Sequence, residues 1–177
     1  MAKKKEIYTI GHSNRSIEEF LGLLNSHGIE QLIDVRTIPR SKHNPQFNSE
    51  NLSVSLKKRK ILYLHMKELG GLRHAKKDSV NQGWHNDSFR GYADYMQSSE
   101  FASALGVLTR LSKESPTAIM CAEAVPWRCH RSLIADALIV RGFAVKDIMD
   151  NNAARSHSLN PMAVVEGDSI MYPTDTR

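Results

Sequence analysis

The chain has 177 residues, a mass of 19.9 kDa, 41% apolar residues and a net charge of +5. This length suits one domain with an ordinary hydrophobic core. No apolar run approaches the roughly 20 residues that cross a bilayer, and no apolar stretch follows the basic start, so we expect neither a membrane span nor a secretory leader. Two cysteines are too few for a disulfide framework. These features predict a cytoplasmic protein.

The positive charge is concentrated in the middle third of the chain. Residues 34–77 contain eleven lysines and arginines against three acids, a net charge of +8, so the remainder of the chain is acidic. This asymmetry predicts an anionic partner, which would be a phosphate-bearing small molecule, a nucleotide or a nucleic acid. A simpler reading of the basic run at residues 57–60 is the solvated end of a helix.

The first 35 residues predict a β-α-β unit. Residues 6–10 and 31–35 are short apolar runs typical of buried strands. Between them, Ser16 and Glu19 have the spacing of a helix capping box, and apolar residues at helical spacing continue to a stop at Gly28. Because two strands joined by a helix run parallel, the unit predicts the start of a parallel sheet.

The same alternation continues along the chain with one long interruption. Residues 67–89 show no period and contain several glycines, which predicts a long loop that is a candidate for a mobile lid. The other predicted elements are, in order, a short helix over 51–60, a strand over 61–65, a helix around 101–108, a strand over 117–121, a helix around 133–138 that ends at Gly142, a strand over 143–149, and an irregular C-terminal strap over 150–177 with a late strand near Ile170.

These elements predict an α/β fold built in three layers. We expect a mostly parallel, twisted sheet of about five strands with flanking helices, in a Rossmann-like or rhodanese-like topology. We expect residues 1–177 to form a single domain.

Polar and reactive side chains follow four of the predicted strands at the point where each strand ends. In a parallel sheet these ends share one edge, where ligands bind. The candidates at this edge are His12 and Ser13 after the first strand, Asp34, Arg36 and Arg40 after the second, His65 after the third, and Cys121, Glu123, Arg128, His130 and Arg131 after the fourth. The sequence therefore predicts one functional site centred on residues 121–131.

Three of these residues are candidates for catalysis, namely His12, Cys121 and Glu123, and the others are candidates for binding a substrate or anion. A helix N-terminus and nearby cations lower the pKa of a cysteine thiol, which favours a reactive thiolate at Cys121. Each residue also has a structural reading. His12 can cap a helix, Asp34 and Arg36 can pair with each other, and Cys121 can be an inert buried thiol.

The segment from Cys121 to Val145 resembles the active-loop half of rhodanese-like domains, in which a strand, a cysteine, an anion-binding loop, Arg-Ser and a helix follow one another. The Asp-Val-Arg at residues 34–36 is similar to a strand of those domains. In that family the cysteine carries sulfur, and in related phosphatases it attacks phosphate. Here nine residues separate Cys121 from Arg131 instead of four or five, and Glu123 adds a negative charge. The resemblance supports topology more than activity.

Five further motifs cover most of the chain. They are residues 9–13, 34–36 with 39–41, 69–71, 89–92, and 120–123 with 129–131, and they are similar to the signatures of a bacterial family of domains of unknown function, numbered 488. This resemblance implies a compact α/β fold. It implies no settled reaction and no agreed cofactor, so the cofactor is unknown from the sequence.

The sequence is therefore compatible with three functions. The first is an enzyme acting on a phosphate-bearing small molecule or nucleotide, with arginines holding the anion. The alternative is a nucleic-acid-binding module that uses the basic residues 34–77 and the aromatic residues Phe47, Trp84, Phe89 and Tyr92 for stacking.

The third function is a metal site. Its ligands would come from Cys121, Glu123, Cys129 or His130 with His12 or His65, although these residues lack a recognised ligand spacing. A redox pair of Cys121 and Cys129 requires a close approach of the two sulfur atoms, which the sequence does not show.

Overall fold

The computed structural model describes residues 3–174. In chain order its helices and strands are β1 (Glu6–Gly11), α1 (Ile17–Ser26), β2 (Gln31–Asp34), α2 (Ser49–Lys58), β3 (Leu62–His65), α3 (Asp87–Tyr95), α4 (Ser99–Glu114), β4 (Thr117–Cys121), α5 (Arg131–Val140), β5 (Ala144–Ile148), β6 (Arg155–Ser156), β7 (Val164–Glu166) and β8 (Ser169–Met171). Short 3-10 turns lie at Pro45–Phe47, Lys67–Leu69 and Pro126–Arg128.

One six-stranded sheet organises the fold, with the strand order β3-β2-β4-β1-β5-β6. The first five strands in this order are parallel, and β6 pairs antiparallel with β5. The predicted mostly parallel sheet is therefore confirmed, with one strand more than expected. The strands β7 and β8 form a separate hairpin.

Helices cover both faces of the sheet and give the expected three layers. On one face, α1 and α2 bury Phe20, Leu24, Leu52 and Leu56 against the sheet. On the other face, α3, α4 and α5 bury Tyr92, Leu105, Leu108, Leu133 and Ile134. All five residues of β4 are buried because this strand lies inside the sheet with helices on both sides. We call the side of the sheet covered by α1 and α2 the α1 face, and the side covered by α3, α4 and α5 the α5 face.

The first helix begins as the sequence predicts, with one difference in its cap. The hydroxyl of Ser16 accepts a hydrogen bond from the backbone N–H of Glu19 at 3.1 Å. The Glu19 carboxylate does not complete a reciprocal capping box, because it accepts a hydrogen bond from Arg15 at 3.1 Å. Within the described part of the chain, no helix has both the length and the apolar composition needed to cross a bilayer.

Helix α3 was not predicted, and it begins inside the region expected to be a loop. The Asn86 side chain caps it by accepting hydrogen bonds from the backbone N–H groups of Ser88 and Phe89. Gly91 lies mid-helix, where it lowers helix propensity. The helix needs glycine there because a Cβ atom would overlap the Arg73 carbonyl group of the preceding loop. This contact therefore requires a glycine in the middle of the helix, and that glycine weakens the sequence pattern that would predict a helix.

The loop before α3 is tied to the helix by one carboxylate. Asp94 accepts hydrogen bonds from the Ser79 hydroxyl, the Asn81 side-chain amide and the Lys76 backbone N–H, at 2.6 to 2.8 Å. Movement of this loop as a lid stays a prediction.

The C-terminal segment is also held by buried polar groups rather than by a long strand. His157 donates a hydrogen bond to Asp136 of α5 at 3.0 Å, and its other ring nitrogen lies 3.6 Å from Asp147 of β5. The Tyr172 hydroxyl donates to Asp136 at 2.7 Å. The late strand expected near Ile170 is present as β8. The His157 imidazole therefore bridges two buried carboxylates and attaches the C-terminal segment to α5 and β5.

This bridge predicts a pH-dependent stability. Burial disfavours a charged imidazole, but hydrogen bonds and the negative charges of Asp136 and Asp147 outweigh burial and raise the pKa of His157 to about 9. The stabilisation is fully present below the unfolded pKa of about 6.5 and is lost as the pH rises through about 9. We expect His157→Gln to lower the free energy of unfolding by about 2 kcal/mol at pH 6 and by much less at pH 10.

Urea unfolding at both pH values measures this difference. The exposed His74 provides the control, since His74→Gln changes an imidazole that lies outside the network. An equal loss for His157→Gln at pH 6 and at pH 10 would contradict a charged bridge.

Candidate functional site

The carboxyl ends of β1, β2 and β4 meet, as the parallel sheet requires. The backbone N–H groups of His12 and Ser13 donate to the carbonyl groups of Cys121 and Ala122 at 3.0 and 2.8 Å. A Cβ atom at Gly11 would overlap the carbonyl oxygen of Glu123, so only glycine allows the chain after β4 to approach β1 this closely. The backbone around His12 and the segment after Cys121 are therefore neighbours.

The side chains at this edge nevertheless separate into two groups. Successive residues of a strand point to opposite faces of a sheet. His12 and Asp34 lie on the α1 face with Phe47 and Tyr63, whereas Cys121 lies on the α5 face with Cys129. The expected single edge is present, but its residues form two clusters, one on each face.

The cluster on the α1 face contains a buried ion pair, and we call it the Asp34–Arg36 cluster. The Arg36 guanidinium donates two hydrogen bonds to the Asp34 carboxylate, at 2.9 and 2.7 Å, and a third to the Phe47 carbonyl at 2.8 Å. Asp34 also accepts a hydrogen bond from the Tyr63 hydroxyl at 2.6 Å. These contacts satisfy most of the polar groups of the pair.

His12 completes this cluster as a neutral imidazole. Its ring stacks on Phe47 with a centroid distance of 4.4 Å. Its Nδ1 lies 2.8 Å from the Ser13 carbonyl and therefore carries the proton, while Nε2 faces an Arg36 nitrogen at 3.4 Å. Burial lowers the pKa of His12, and the Arg36 charge lowers it further. Both ring nitrogens are thus occupied within the cluster.

The cluster on the α5 face contains the two cysteines, and we call it the thiol cluster. The Sγ atoms of Cys121 and Cys129 are 2.7 Å apart, and both residues are buried free thiols. The Nδ1 atom of His130 lies 3.4 Å from the Cys129 sulfur, and its Nε2 lies 3.0 Å from the Val35 carbonyl. The Arg131 backbone N–H points to the Cys129 sulfur at 3.5 Å.

The pKa values of the two thiols are shifted in opposite directions. Burial opposes ionisation of Cys121, but the hydrogen bond from Cys129 and the positive charge of Arg131 lower the pKa of Cys121. Donation of that hydrogen bond to Cys121, together with burial, raises the pKa of Cys129. Of the two thiols, Cys121 is therefore the more readily ionised.

The Arg131 guanidinium is fully buried and largely unpaired. Its Nη2 donates a long hydrogen bond of 3.4 Å to the Ala124 carbonyl. Its Nε and Nη1 atoms have no hydrogen-bond partner among residues 3–174. An unpaired buried donor costs about 1–3 kcal/mol, and more when charged, so the cost of burying Arg131 requires a structural or functional reason.

The remaining predicted residues lie at the periphery of these clusters. The His65 Nε2 donates to the Arg36 carbonyl at 2.7 Å, and Ser13 is partly exposed with a positive φ of 49°. Glu123 and Arg128 are exposed on the segment between the two cysteines. Arg40 is exposed as well and pairs with Glu50 at 2.8 Å, away from both clusters.

Sequence reasoning did not assign two residues to the Asp34–Arg36 cluster, since it named Phe47 only for stacking on bases and did not name Tyr63. Phe47 comes from a 3-10 turn that no periodic pattern marks. Tyr63 could have been found, because β3 pairs with β2 in a register that places Tyr63 beside Leu32, on the same face as Asp34. The metal hypothesis gains no ligand set, since residues 3–174 contain no group of three histidine, cysteine or acidic side chains placed to hold an ion.

The fold and these clusters define an α/β protein with a parallel sheet and a buried pair of thiols beside an unpaired arginine. The family model described as "Domain of unknown function DUF488" matches residues 16–138, more than two-thirds of the chain. The protein belongs to the DUF488 family. No curated protein and no solved structure gives a significant match.

The buried Asp34–Arg36 pair and the exposed Arg40–Glu50 pair should contribute very differently to the free energy of unfolding. We expect Asp34→Ala to lower the free energy of unfolding by about 3–5 kcal/mol, because it leaves the Arg36 charge buried without its partner. We expect Arg40→Ala to lower it by less than about 1 kcal/mol, because both members of the Arg40–Glu50 pair are exposed. Urea titration measures both values, and similar losses would contradict the assigned burial.

Proposed function

We propose that this protein is an enzyme that acts on a phosphate-bearing small molecule or a nucleotide, with Cys121 as the nucleophile and Arg131 as the anion-binding group. The observation that carries this proposal is the buried Arg131 guanidinium, which keeps two nitrogen donors unpaired and whose charge contributes to the lowered pKa of Cys121. Phosphate oxygens are strong acceptors for such donors.

The environment of Cys121 supports its role as nucleophile. The thiolate, not the thiol, attacks an electrophile. The hydrogen bond from Cys129 and the charge of Arg131 lower the pKa of Cys121 against the opposing effect of burial. A thiolate of this kind is also fixed in position, since Cys121 ends an interior strand whose backbone is paired on both sides.

The reaction would proceed by displacement at phosphorus. The Cys121 thiolate forms an S–P bond as the P–O bond to the leaving group breaks, and the leaving oxygen takes up a proton. Glu123 is the carboxyl group nearest to Cys121 along the chain, and we assign it as the general acid that supplies that proton. A water molecule then attacks phosphorus, the S–P bond breaks, and the water returns a proton to Glu123.

His12 has no part in this scheme, although it was a candidate from the sequence. Its ring lies on the α1 face, and both of its nitrogens are engaged by Ser13 and Arg36. The Asp34–Arg36 cluster is likewise satisfied internally. We assign this cluster to positioning the ends of β1 and β2.

Substrate entry requires movement of the segment between the cysteines. Cys121 is 2% exposed and Arg131 is 0% exposed, so residues 122–130 shield them from solvent. This segment contains no regular structure except one 3-10 turn, and it exposes Glu123 and Trp127. The proposal therefore includes displacement of this segment when an anion binds.

The geometry favours a small-molecule substrate over a nucleic acid. Two of the four aromatic residues expected to stack on bases, Phe47 and Tyr92, are buried. The other two, Trp84 and Phe89, are partly buried and stack on each other with a centroid distance of 5.1 Å. Nucleic-acid binding by the basic residues 34–77 stays a prediction.

An alkylation experiment tests the anion site without knowledge of the substrate. We expect inorganic phosphate to slow the alkylation of Cys121 by iodoacetamide at least threefold, because a bound anion lies over the thiolate. Arg131→Met should abolish this protection, whereas Arg128→Met, which removes an exposed cation of the same segment, should retain it. Peptide mass spectrometry measures the rate at Cys121. Protection that survives Arg131→Met would place the anion elsewhere.

Turnover tests the nucleophile. In a screen of phosphomonoesters and nucleotides, we expect Cys121→Ser to reduce hydrolysis by about 10³-fold or more, because the hydroxyl is a far weaker nucleophile at neutral pH. Acid quenching of the native enzyme should trap a phosphorylated Cys121 peptide. Equal rates for the native protein and Cys121→Ser would remove Cys121 from the chemistry.

A further inference from the structure

The two cysteines of the thiol cluster are close enough to react with each other. Their sulfur atoms are 2.7 Å apart, within about 1 Å of the S–S bond length of roughly 2.05 Å. Cys121 is held at the end of β4, while Cys129 lies between a 3-10 turn and the start of α5, where a small shift is sufficient to close the gap.

We propose that Cys121 and Cys129 form a reversible intramolecular disulfide when the protein meets a hydroperoxide, with His130 as the base for the second thiol. This inference goes beyond the proposed function, because disulfide formation depends only on the thiol cluster and not on any phosphate-bearing substrate.

The first step takes place at Cys121. Its thiolate attacks one oxygen of the hydroperoxide, an S–O bond forms and the O–O bond breaks, and the other oxygen leaves as hydroxide or alkoxide. The sulfur is oxidised to a sulfenic acid and the peroxide is reduced. Cys121 is the better attacking group because it is the more acidic thiol of the pair.

The second step uses Cys129 as the resolving thiol. Its sulfur attacks the Cys121 sulfur, the S–S bond forms, and the S–O bond breaks as water leaves. The proton of the Cys129 thiol is transferred to the departing hydroxide, which leaves as that water. A dithiol reductant reverses the change by exchange and returns both cysteines to thiols, with the reductant oxidised to its own disulfide.

His130 is placed to remove that proton. Its Nε2 lies 3.0 Å from the Val35 carbonyl, which can only accept, so Nε2 carries the ring proton. The Nδ1 lone pair therefore faces the Cys129 sulfur at 3.4 Å. Burial lowers the pKa of His130 to about 4, with a contribution from the Arg131 charge, so the ring is neutral at pH 7 and relays the proton to the departing hydroxide instead of keeping it.

A small oxidant can reach the buried thiols more easily than a large substrate can. Cys121 is 2% exposed and Cys129 is 7% exposed, so a hydroperoxide needs less displacement of residues 122–130 than a nucleotide does. Once the disulfide forms, Cys121 is no longer a nucleophile. Oxidation would thus switch off the activity proposed for the reduced protein.

Mass spectrometry after peroxide treatment tests this inference. We expect the native protein to lose both alkylatable thiols at one molar equivalent of hydrogen peroxide and to regain them after reduction with dithiothreitol. Trypsin cleaves after Arg128, so the disulfide should link the peptide that contains Cys121 to the peptide Cys129–Arg131. Two alkylatable thiols after treatment, or stepwise addition of oxygen to each cysteine without a linked peptide, would overturn the proposal.

Two variants separate the roles of the partners. In Cys129→Ser, Cys121 lacks its resolving thiol and should accumulate sulfenic and then sulfinic acid, seen as added oxygen on its peptide. In His130→Gln, disulfide formation should slow by about tenfold or more, while the first oxidation step keeps its rate. Exposed His74 supplies the control His74→Gln, which should behave as the native protein.

The outcomes are independent of those for the proposed function. Loss of phosphate protection or of turnover with normal disulfide formation would leave only the redox pair. Phosphate protection without a linked peptide would leave only the anion site. The native protein alone decides the disulfide, so a variant that fails to fold does not obscure the result.

Discussion

The pleat of the parallel sheet decides which functional groups of this protein meet. Neighbouring residues of a strand point to opposite faces, so a common edge does not create a common pocket. His12 and Asp34 fall on the α1 face and Cys121 falls on the α5 face, although their backbones are adjacent. The helix arrangement then encloses each group in a different hydrophobic layer, which is why two clusters form where the strand ends suggested one.

The contrast between two buried arginines distinguishes structure from function. Arg36 donates to Asp34 twice and to the Phe47 carbonyl once, so its charge is compensated inside the protein. Arg131 has a single long hydrogen bond, to Ala124. A satisfied ion pair holds strand ends together, whereas the charge of Arg131 has no ion-pair partner and instead contributes to the lowered pKa of Cys121.

Sequence reasoning recovered the elements that are governed by local periodicity. The strands β1, β2, β4 and β5 and the helices α1 and α5 follow apolar patterns with clear stops, and their alternation is sufficient for the parallel sheet. Helix α3 was not predicted because it contains Gly91, a residue that weakens helix propensity and is required by the close contact with the Arg73 carbonyl group. Strand β6 was not predicted because its two residues are exposed and show no apolar pattern. The approach of Cys129 to Cys121 depends on the path of residues 122–130, a feature that no spacing rule encodes.

The position of β1 bears on where this family's structural unit begins. The family model starts at residue 16, after β1, and stops at residue 138, before β5. Yet β1 lies between β4 and β5 in the sheet and pairs with both. A recombinant fragment trimmed to 16–138 would keep β3, β2 and β4 but expose the long apolar edge of β4 to water, a surface prone to aggregation. The matched segment is therefore shorter than the part of this chain that builds the sheet.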